Sequence, residues 1–83
     1  MSKVVMYTRS YCPFSKAAKE FFAEKKVEFH DINLNDDIAL EQEMETKSGG
    51  RTDTPQIFID SHHIGSFDDI KALDELGTLD GLL

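Results

Sequence analysis

The segment that decides the fold is KVVMYTRSYCPFSKAAKEFFAEK, residues 3–25. Its first part, residues 3–8, is rich in β-branched and aromatic side chains and predicts a strand. Pro13 suits the first turn of a helix, because a proline at that position costs no hydrogen bond. From Pro13 to about Lys25, apolar residues recur at three- and four-residue spacing, which predicts a helix with one apolar face. These residues are Phe14, Ala17, Ala18, Phe21 and Phe22.

A second strand and a second helix are predicted in the middle of the chain. Residues 27–34 are the predicted strand, and the cluster Asn35-Asp36-Asp37 is typical of a helix start. Gly49-Gly50 ends this helix. Its apolar positions are Ile38, Leu40 and Met44.

The last third of the chain predicts a hairpin followed by a helix. Residues 56–59 and 63–65 are the two strands, joined at Ser61-His62. Ser66 caps the final helix, which Gly77 ends. The buried stripe predicted for this helix is Ile70, Leu73 and Leu76.

The resulting order, β-α-β-α-β-β-α, predicts an α/β fold. The first β-α-β unit gives a right-handed crossover and a parallel pair of strands, and the hairpin adds an antiparallel pair. We therefore expect a four-stranded mixed sheet flanked by three helices. A length of 83 residues suits a single domain spanning residues 1–83.

Composition narrows the function classes. With 40% hydrophobic and 30% charged residues, the chain is typical of a soluble globular protein, and its apolar runs are far shorter than a membrane span. The start of the chain is too short and too soon polar for a secretory signal. The lone cysteine rules out an internal disulfide framework and suits a reducing compartment, so we expect a cytoplasmic protein.

Charge is unevenly distributed along the chain, whose formal net charge is −7. Residues 1–29 carry six Lys or Arg against three Asp or Glu, whereas residues 30–83 carry three against thirteen. An acidic protein is a poor general binder of nucleic acid. The basic first third, which contains Cys12, suits a small anionic partner instead.

Cys12 lies at the junction of the first strand and the first helix. The free N–H groups and the dipole of a helix N-terminus stabilise a thiolate, which is the nucleophilic form of cysteine. Arg9 and Lys16 are close in sequence and favour the same ionised form. The alternative is a buried cysteine that only fills the core. The polar, turn-forming residues on either side favour the nucleophile.

Two further groups of residues could bind a ligand. Pro55 cannot donate to a sheet and holds Thr54 extended, so the backbone of Thr54 could pair with an extended ligand. Taken alone, this pair also fits a plain strand start. Residues 65–69 open the last helix, whose N–H groups could hold a carboxylate while Asp68 and Asp69 hold an amine. Equally, both acids could serve only to complement the helix dipole.

Histidine spacing does not predict a metal site. His30, His62 and His63 are expected on the surface of strands and hairpin. With one cysteine in the chain, no four-ligand zinc set is predicted.

Taken together, three motifs resemble the glutaredoxins, in particular the small bacterial ones. They are residues 7–15 (YTRSYCPFS), residues 54–59 (TPQIFI) and His63-Ile64-Gly65 followed by Asp68-Asp69. The motifs occur in the family's order and cover nearly the whole chain. The resemblance implies the thioredoxin fold, a cis peptide bond before Pro55, and glutathione as ligand and co-substrate.

The resemblance also implies roles for individual residues. Cys12 matches the catalytic nucleophile, Arg9 a basic residue that meets the glycine carboxylate of glutathione, and Thr54 the backbone partner of the glutathione cysteine. Phe14 matches an aromatic residue that flanks the site, and Arg51 could add positive charge. The implied glutathione-binding positions are Arg9, Pro13, Phe14, Thr54, Pro55, Ser66, Phe67, Asp68 and Asp69.

This chain departs from the family pattern at two positions. Ser15 stands where many members have a second, resolving cysteine, and Ser66 stands where a second glycine is frequent. Without a second thiol, an intramolecular disulfide is impossible. What remains is one-thiol reduction of mixed disulfides between glutathione and proteins or small molecules, a form of redox homeostasis. The expected partners are glutathione and such disulfides, without nucleic acid, membrane or metal; a monomer is expected, with a dimer through Cys12 possible in air.

Two alternatives stay open at this stage. Some single-cysteine relatives hold a [2Fe–2S] cluster between two protomers with two glutathiones. That function usually goes with Cys-Gly-Phe-Ser, and here Pro13 replaces the glycine and stiffens the loop. The second alternative is an inactive thioredoxin-like binding module in which Cys12 is merely structural.

Overall fold

A four-stranded mixed sheet organises the computed structural model, which describes residues 3–83. The strands are β1 (Val4–Thr8), β2 (His30–Asn33), β3 (Gln56–Ile59) and β4 (His62–Gly65). Their spatial order is β2-β1-β3-β4, with β1 parallel to β2 and antiparallel to β3, and β3 antiparallel to β4. This is the predicted thioredoxin-type arrangement. Met1 and Ser2, which belong to the segment considered for a secretory signal, lie outside the described residues.

Helices cover both faces of the sheet. They are α1 (Pro13–Glu24), α2 (Ile38–Lys47), α3 (Phe67–Glu75) and α4 (Leu79–Leu82). Because side chains alternate along a strand, β1 feeds two separate cores. Val4 and Met6 pack with α1, α3 and α4, in a cluster that includes Phe22 and Ile70. Tyr7 packs on the opposite face in a cluster with Leu34, Met44 and Phe58.

The second strand is shorter than predicted. It begins at His30 rather than at residue 27, because its ladder with β1 begins at the pair Val5 and His30. Val27 and Phe29 instead pack, half-buried, against the core on the α1 side. Their apolar character comes from this packing, and not from strand pairing.

The hairpin turn was predicted one residue too late. Asp60 and Ser61 both have positive φ, of 51° and 69°, as the tight two-residue turns of hairpins require. β4 therefore begins at His62.

The helices contain two further differences from the predicted pattern. The short helix α4 was not predicted, because a four-residue helix shows no periodicity; its Leu79 is fully buried. Leu76 was predicted in the buried stripe of α3, but it is 78% exposed; the helix ends at Glu75, and Leu76 is its C-cap residue. Across residues 3–83, the structure contains no helix with the length and apolar character needed to cross a membrane.

Candidate active site

Cys12 is the N-cap residue of α1, with extended backbone angles of φ −90° and ψ 116°. Pro13 follows as the first helical residue, as predicted. The N–H of Cys12 donates to the carbonyl of Arg9 (3.1 Å), and its own carbonyl accepts from Lys16 (3.2 Å). The thiol is half-buried. This turn places the thiol at the positive end of the helix dipole. Residues 13–16, the first turn of α1, include no acidic side chain that would oppose a thiolate.

Thr54 lies directly against the thiol. The Sγ of Cys12 donates to the Thr54 carbonyl oxygen at 3.4 Å, although the two residues are 42 positions apart. The Thr54–Pro55 peptide bond is cis, as the resemblance implied. Thr54 and Pro55 are both buried. The fold thus joins the first and second residue groups identified in the sequence.

The local hydrogen bonds lower the pKa of the Cys12 thiol below its ordinary value. Burial alone raises this pKa, because it penalises the thiolate. Hydrogen bonds from the Thr54 side chain, from Ser15 and from the Phe14 backbone outweigh the effect of burial. The thiolate is therefore stabilised by the start of the helix and by the facing loop.

Ser15 occupies the motif position of the missing resolving cysteine. Its side chain is 1% exposed, and its Oγ accepts a hydrogen bond from the Arg9 backbone N–H at 3.2 Å. The hydroxyl also stabilises the thiolate of Cys12. A small polar group thus ties the Cys12 turn to the first turn of α1.

Arg9 is paired within the protein. Its Nη1 lies 2.7 Å from Oε1 of Glu41 in α2, and this hydrogen bond raises the pKa of Arg9 above its ordinary value. The sequence analysis assigned the positive charge of Arg9 to a ligand or to the Cys12 thiolate. In the structure this charge is paired with the Glu41 carboxylate.

The start of α3 is bonded internally. Oδ2 of Asp69 accepts from the backbone N–H of Ser66 (2.8 Å) and from its hydroxyl (3.1 Å). Arg51 Nη1 lies 3.9 Å from the same oxygen. The Ser66 N–H, considered in the sequence as a partner for a ligand carboxylate, is thus bonded to Asp69.

Arg51 makes its closest contacts with Asp53. Its Nε and Nη2 donate to the two carboxylate oxygens at 2.9 and 2.7 Å. This pair holds the pKa of Asp53 below its ordinary value. Asp53 is thereby fixed next to Thr54.

A cavity of about 190 Å³ joins the predicted binding residues. It is lined by Phe14, Asp53, Thr54, Ser66, Phe67 and Asp68. Phe14 was also predicted on the apolar face of α1; that interpretation is wrong, because the side chain is 56% exposed and lines this cavity. The ring of Phe67 packs edge-on against Phe21, with centroids 6.2 Å apart, which fixes one wall of the cavity.

Sequence reasoning missed two acidic residues at the site, Glu41 and Asp53. Glu41 is separated from Arg9 by 32 positions, and nothing in the pattern of α2 distinguishes it from other acids there. Asp53 adjoins the quoted Thr54-Pro55 motif, and its proximity to Arg51 in sequence was the available signal. Within residues 3–83, no group of three or more His, Cys, Asp or Glu side chains is arranged to hold a metal ion.

Comparisons with known proteins agree with the fold and with the family that the motifs resemble. The family profile described as Glutaredoxin matches residues 4–64. Glutaredoxin 3 of Escherichia coli strain K12 is 45% identical over 83 residues, which cover all of this chain and 99% of that protein. The solution structure of glutaredoxin from Brucella melitensis superposes with a TM-score of 0.84 at 44% identity, covering 98% of this chain and 87% of that one. A buckwheat glutaredoxin–glutathione complex has the same fold, with a TM-score of 0.88 at 22% identity, covering 99% and 76%.

Proposed function

The chain belongs to the glutaredoxin family, and from this premise we propose that it is a cytoplasmic glutathione-dependent thiol–disulfide oxidoreductase using Cys12 alone. Its substrates are mixed disulfides of glutathione with proteins or small molecules. One observation carries the proposal: the only cysteine is the N-cap residue of a helix, its thiol lies 3.4 Å from the Thr54 carbonyl oxygen, and surrounding donors lower the pKa of this thiol.

The reaction consists of two thiol–disulfide exchanges. The Cys12 thiolate attacks the glutathione sulfur of the mixed disulfide, forms a new S–S bond, and releases the substrate as a thiolate that takes up a proton. A second glutathione, as thiolate, then attacks the glutathione sulfur bound to Cys12. This step gives oxidised glutathione and restores the Cys12 thiolate. The incoming glutathione is the reductant: its sulfur goes from thiolate to disulfide as the substrate sulfur goes from disulfide to thiol, and the transferred glutathionyl sulfur stays at the disulfide level.

Ser15 makes the second exchange intermolecular. A second thiol at this position could attack the Cys12–glutathione disulfide from within, whereas a buried hydroxyl cannot form a disulfide. Only an external thiol can then release Cys12. For this reason we assign glutathione both as the group transferred and as the reductant.

The residues around the thiol suit the parts of glutathione. When Cys12 is ionised or in a mixed disulfide, it no longer donates to the Thr54 carbonyl, so this carbonyl can accept from the N–H of the glutathione cysteine. The cavity beside it, with Ser66, Phe67 and Asp68 in its wall, suits the γ-glutamyl end. Asp68 and Asp69 supply negative charge for the ammonium group. Arg9 lies on the thiol turn and suits the glycine carboxylate.

Intact mass spectrometry after incubation with oxidised glutathione tests the proposal. We expect one glutathione per chain, located on Cys12, and no adduct in the C12S variant. Turnover of a glutathionylated protein should require Cys12 and external glutathione. Deglutathionylation activity retained by C12S would end the proposal.

The cluster-scaffold alternative is tested by a separate experiment. Anaerobic reconstitution of the wild-type chain with iron, sulfide and glutathione would give a brown dimer if two Cys12 thiolates and two glutathiones held a [2Fe–2S] cluster. A colourless protein with strong turnover would instead support the enzyme. An ordinary or raised Cys12 pKa without an adduct would favour the inactive binding module.

A further inference from the structure

The ion pair between Arg9 and Glu41 joins the proposed glycine-carboxylate site to helix α2. Nη1 of Arg9 lies 2.7 Å from Oε1 of Glu41, with side chains 17% and 34% exposed. This distance is that of a charge-assisted hydrogen bond, which is stronger than a bond between neutral groups. The partial burial of both side chains also makes screening by salt weaker than at an open surface.

The turn around Arg9 fixes its place relative to the thiol. The Arg9 carbonyl accepts from the Cys12 N–H, and the Arg9 N–H donates to Ser15. The backbone of Arg9 therefore cannot move without disturbing the catalytic turn. A ligand carboxylate that approaches the Arg9 guanidinium must therefore compete with the Glu41 carboxylate, which is already bonded to it.

In the described part of the chain, the cavity next to Arg9 is not lined by a second cation. This cavity, of about 100 Å³, is lined by Arg9, Ser10, Tyr11, Asn33, Asn35 and Asp36. Among these residues Arg9 is the one cation, and Asp36 adds a second negative charge to that of Glu41. An incoming anion is thus repelled by two acids while it competes for one guanidinium.

We infer that Glu41 is a specificity-determining residue that stands in for the glycine carboxylate of glutathione on Arg9. The substrate carboxylate must displace Glu41 or share Arg9 with it. Glu41 thereby weakens binding of the charged glycine end and reduces discrimination between a free carboxylate and a neutral ester there. This inference rests on the proposed function, since it assumes that Arg9 meets that carboxylate.

The variant E41Q tests the inference, because glutamine keeps the shape and a hydrogen-bond acceptor but removes the charge. Two substrates are compared: a mixed disulfide of glutathione with its free glycine carboxylate, and the same disulfide with this carboxylate as an ethyl ester. We expect E41Q to lower KM for the acid about two- to fivefold, the range expected for ion pairs of this exposure, with kcat unchanged. The ester should show no change, and the effect on the acid should shrink at high salt.

The control is E45Q, which makes the same charge change on the same helix at an exposed side chain. It should leave the ratio of acid to ester unchanged, whereas a general effect of net charge would move both variants alike. In an R9Q background, E41Q should no longer lower KM for the acid.

Three results would overturn the inference. They are an unchanged KM in E41Q, an equal change for acid and ester, and a KM for the acid that rises because Glu41 merely positions Arg9. Failure of the proposed function would look different: the wild-type chain would then form no Cys12 adduct and turn over neither substrate.

Discussion

The starts of helices α1 and α3 both contribute to the candidate site, where they line one cavity. Both have the positive end of a helix dipole, but different anions lie next to it. α1 begins at Cys12 and, in its fully described first turn, contains no acidic residue. α3 begins at Ser66 and has Asp68 and Asp69 in its first turn, with Asp69 bonded to the Ser66 N–H. A helix start has backbone N–H groups without a partner inside the helix, and it is the positive end of the helix dipole.

The two helix starts differ in the anion that they stabilise: the Cys12 thiolate at α1 and the Asp69 carboxylate at α3. At α1, donors in the first turn bond to the Cys12 sulfur and lower its pKa. A larger fraction of the sulfur is then in the thiolate form, which is the reactive one. At α3, the chain's own Asp69 satisfies the helix start, which becomes a fixed wall carrying negative charge. One helix start therefore stabilises a thiolate, while the other carries negative charge, which under the proposed function faces the ammonium group of glutathione.

The largest effect should come from crowding the α3 start with G65A. Gly65 has a φ of +132°, and a Cβ there would lie 2.7 Å from Cγ of Asp69. We expect Asp69 to be displaced, KM for glutathione substrates to rise, and the free energy of unfolding to fall by about 1–3 kcal/mol. Thermal and denaturant unfolding together with steady-state kinetics measure both effects.

G77A is the matched control for this prediction. Gly77 also has positive φ, of +75°, but a Cβ there would meet no heavy atom of residues 3–83 within 4 Å. G77A therefore measures the cost of placing alanine at a positive φ, without a clash of its Cβ with another side chain. Equal losses in the two variants would show that Asp69 does not need the space at Gly65.

A smaller effect is expected from D69N, which removes one of the two negative charges in the first turn of α3. The KM for a glutathione mixed disulfide should rise about three- to tenfold, because the amide no longer attracts the ammonium group and holds the Ser66 N–H less strongly. The rate of Cys12 alkylation by iodoacetamide should not change, since Asp69 is not among the donors that stabilise the thiolate. A faster alkylation would show that the two helix starts are electrostatically coupled, because losing a nearby anion favours the thiolate.

The smallest effect should come from S15A at the α1 start. The Ser15 hydroxyl lowers the Cys12 pKa, so its loss should raise this pKa and reduce the thiolate fraction at a pH below it. We expect alkylation at neutral pH to slow about two- to fivefold, with the inflection of its pH profile moved upward. S66A, at the other helix start, should leave that inflection in place. An inflection that moves equally in S15A and S66A would contradict the conclusion that only the α1 start sets the pKa of Cys12.

Much of this molecule could be predicted from local pattern. The order of strands and helices, the helix start after Cys12 and the Thr54–Pro55 strand mouth all follow from residues next to each other in the chain. The errors arose where local pattern and packing disagree. Val27 and Phe29 are apolar because they pack on the core, although strand β1 offers them no partner. Phe14 has helical spacing, yet it lines the cavity because it stands at the very start of α1.

By itself, the sequence determined that the chain has one thiol, that Cys12 stands directly before Pro13 and that Ser15 replaces a second thiol, because these are properties of the residues themselves and their order. The tertiary structure alone decided that the Cys12 thiol meets the Thr54 carbonyl and that Arg9 is held by Glu41. Both contacts join residues more than 30 positions apart. Such contacts depend on strand register and helix docking, which bring distant side chains within a few ångströms and leave no local signature in the chain.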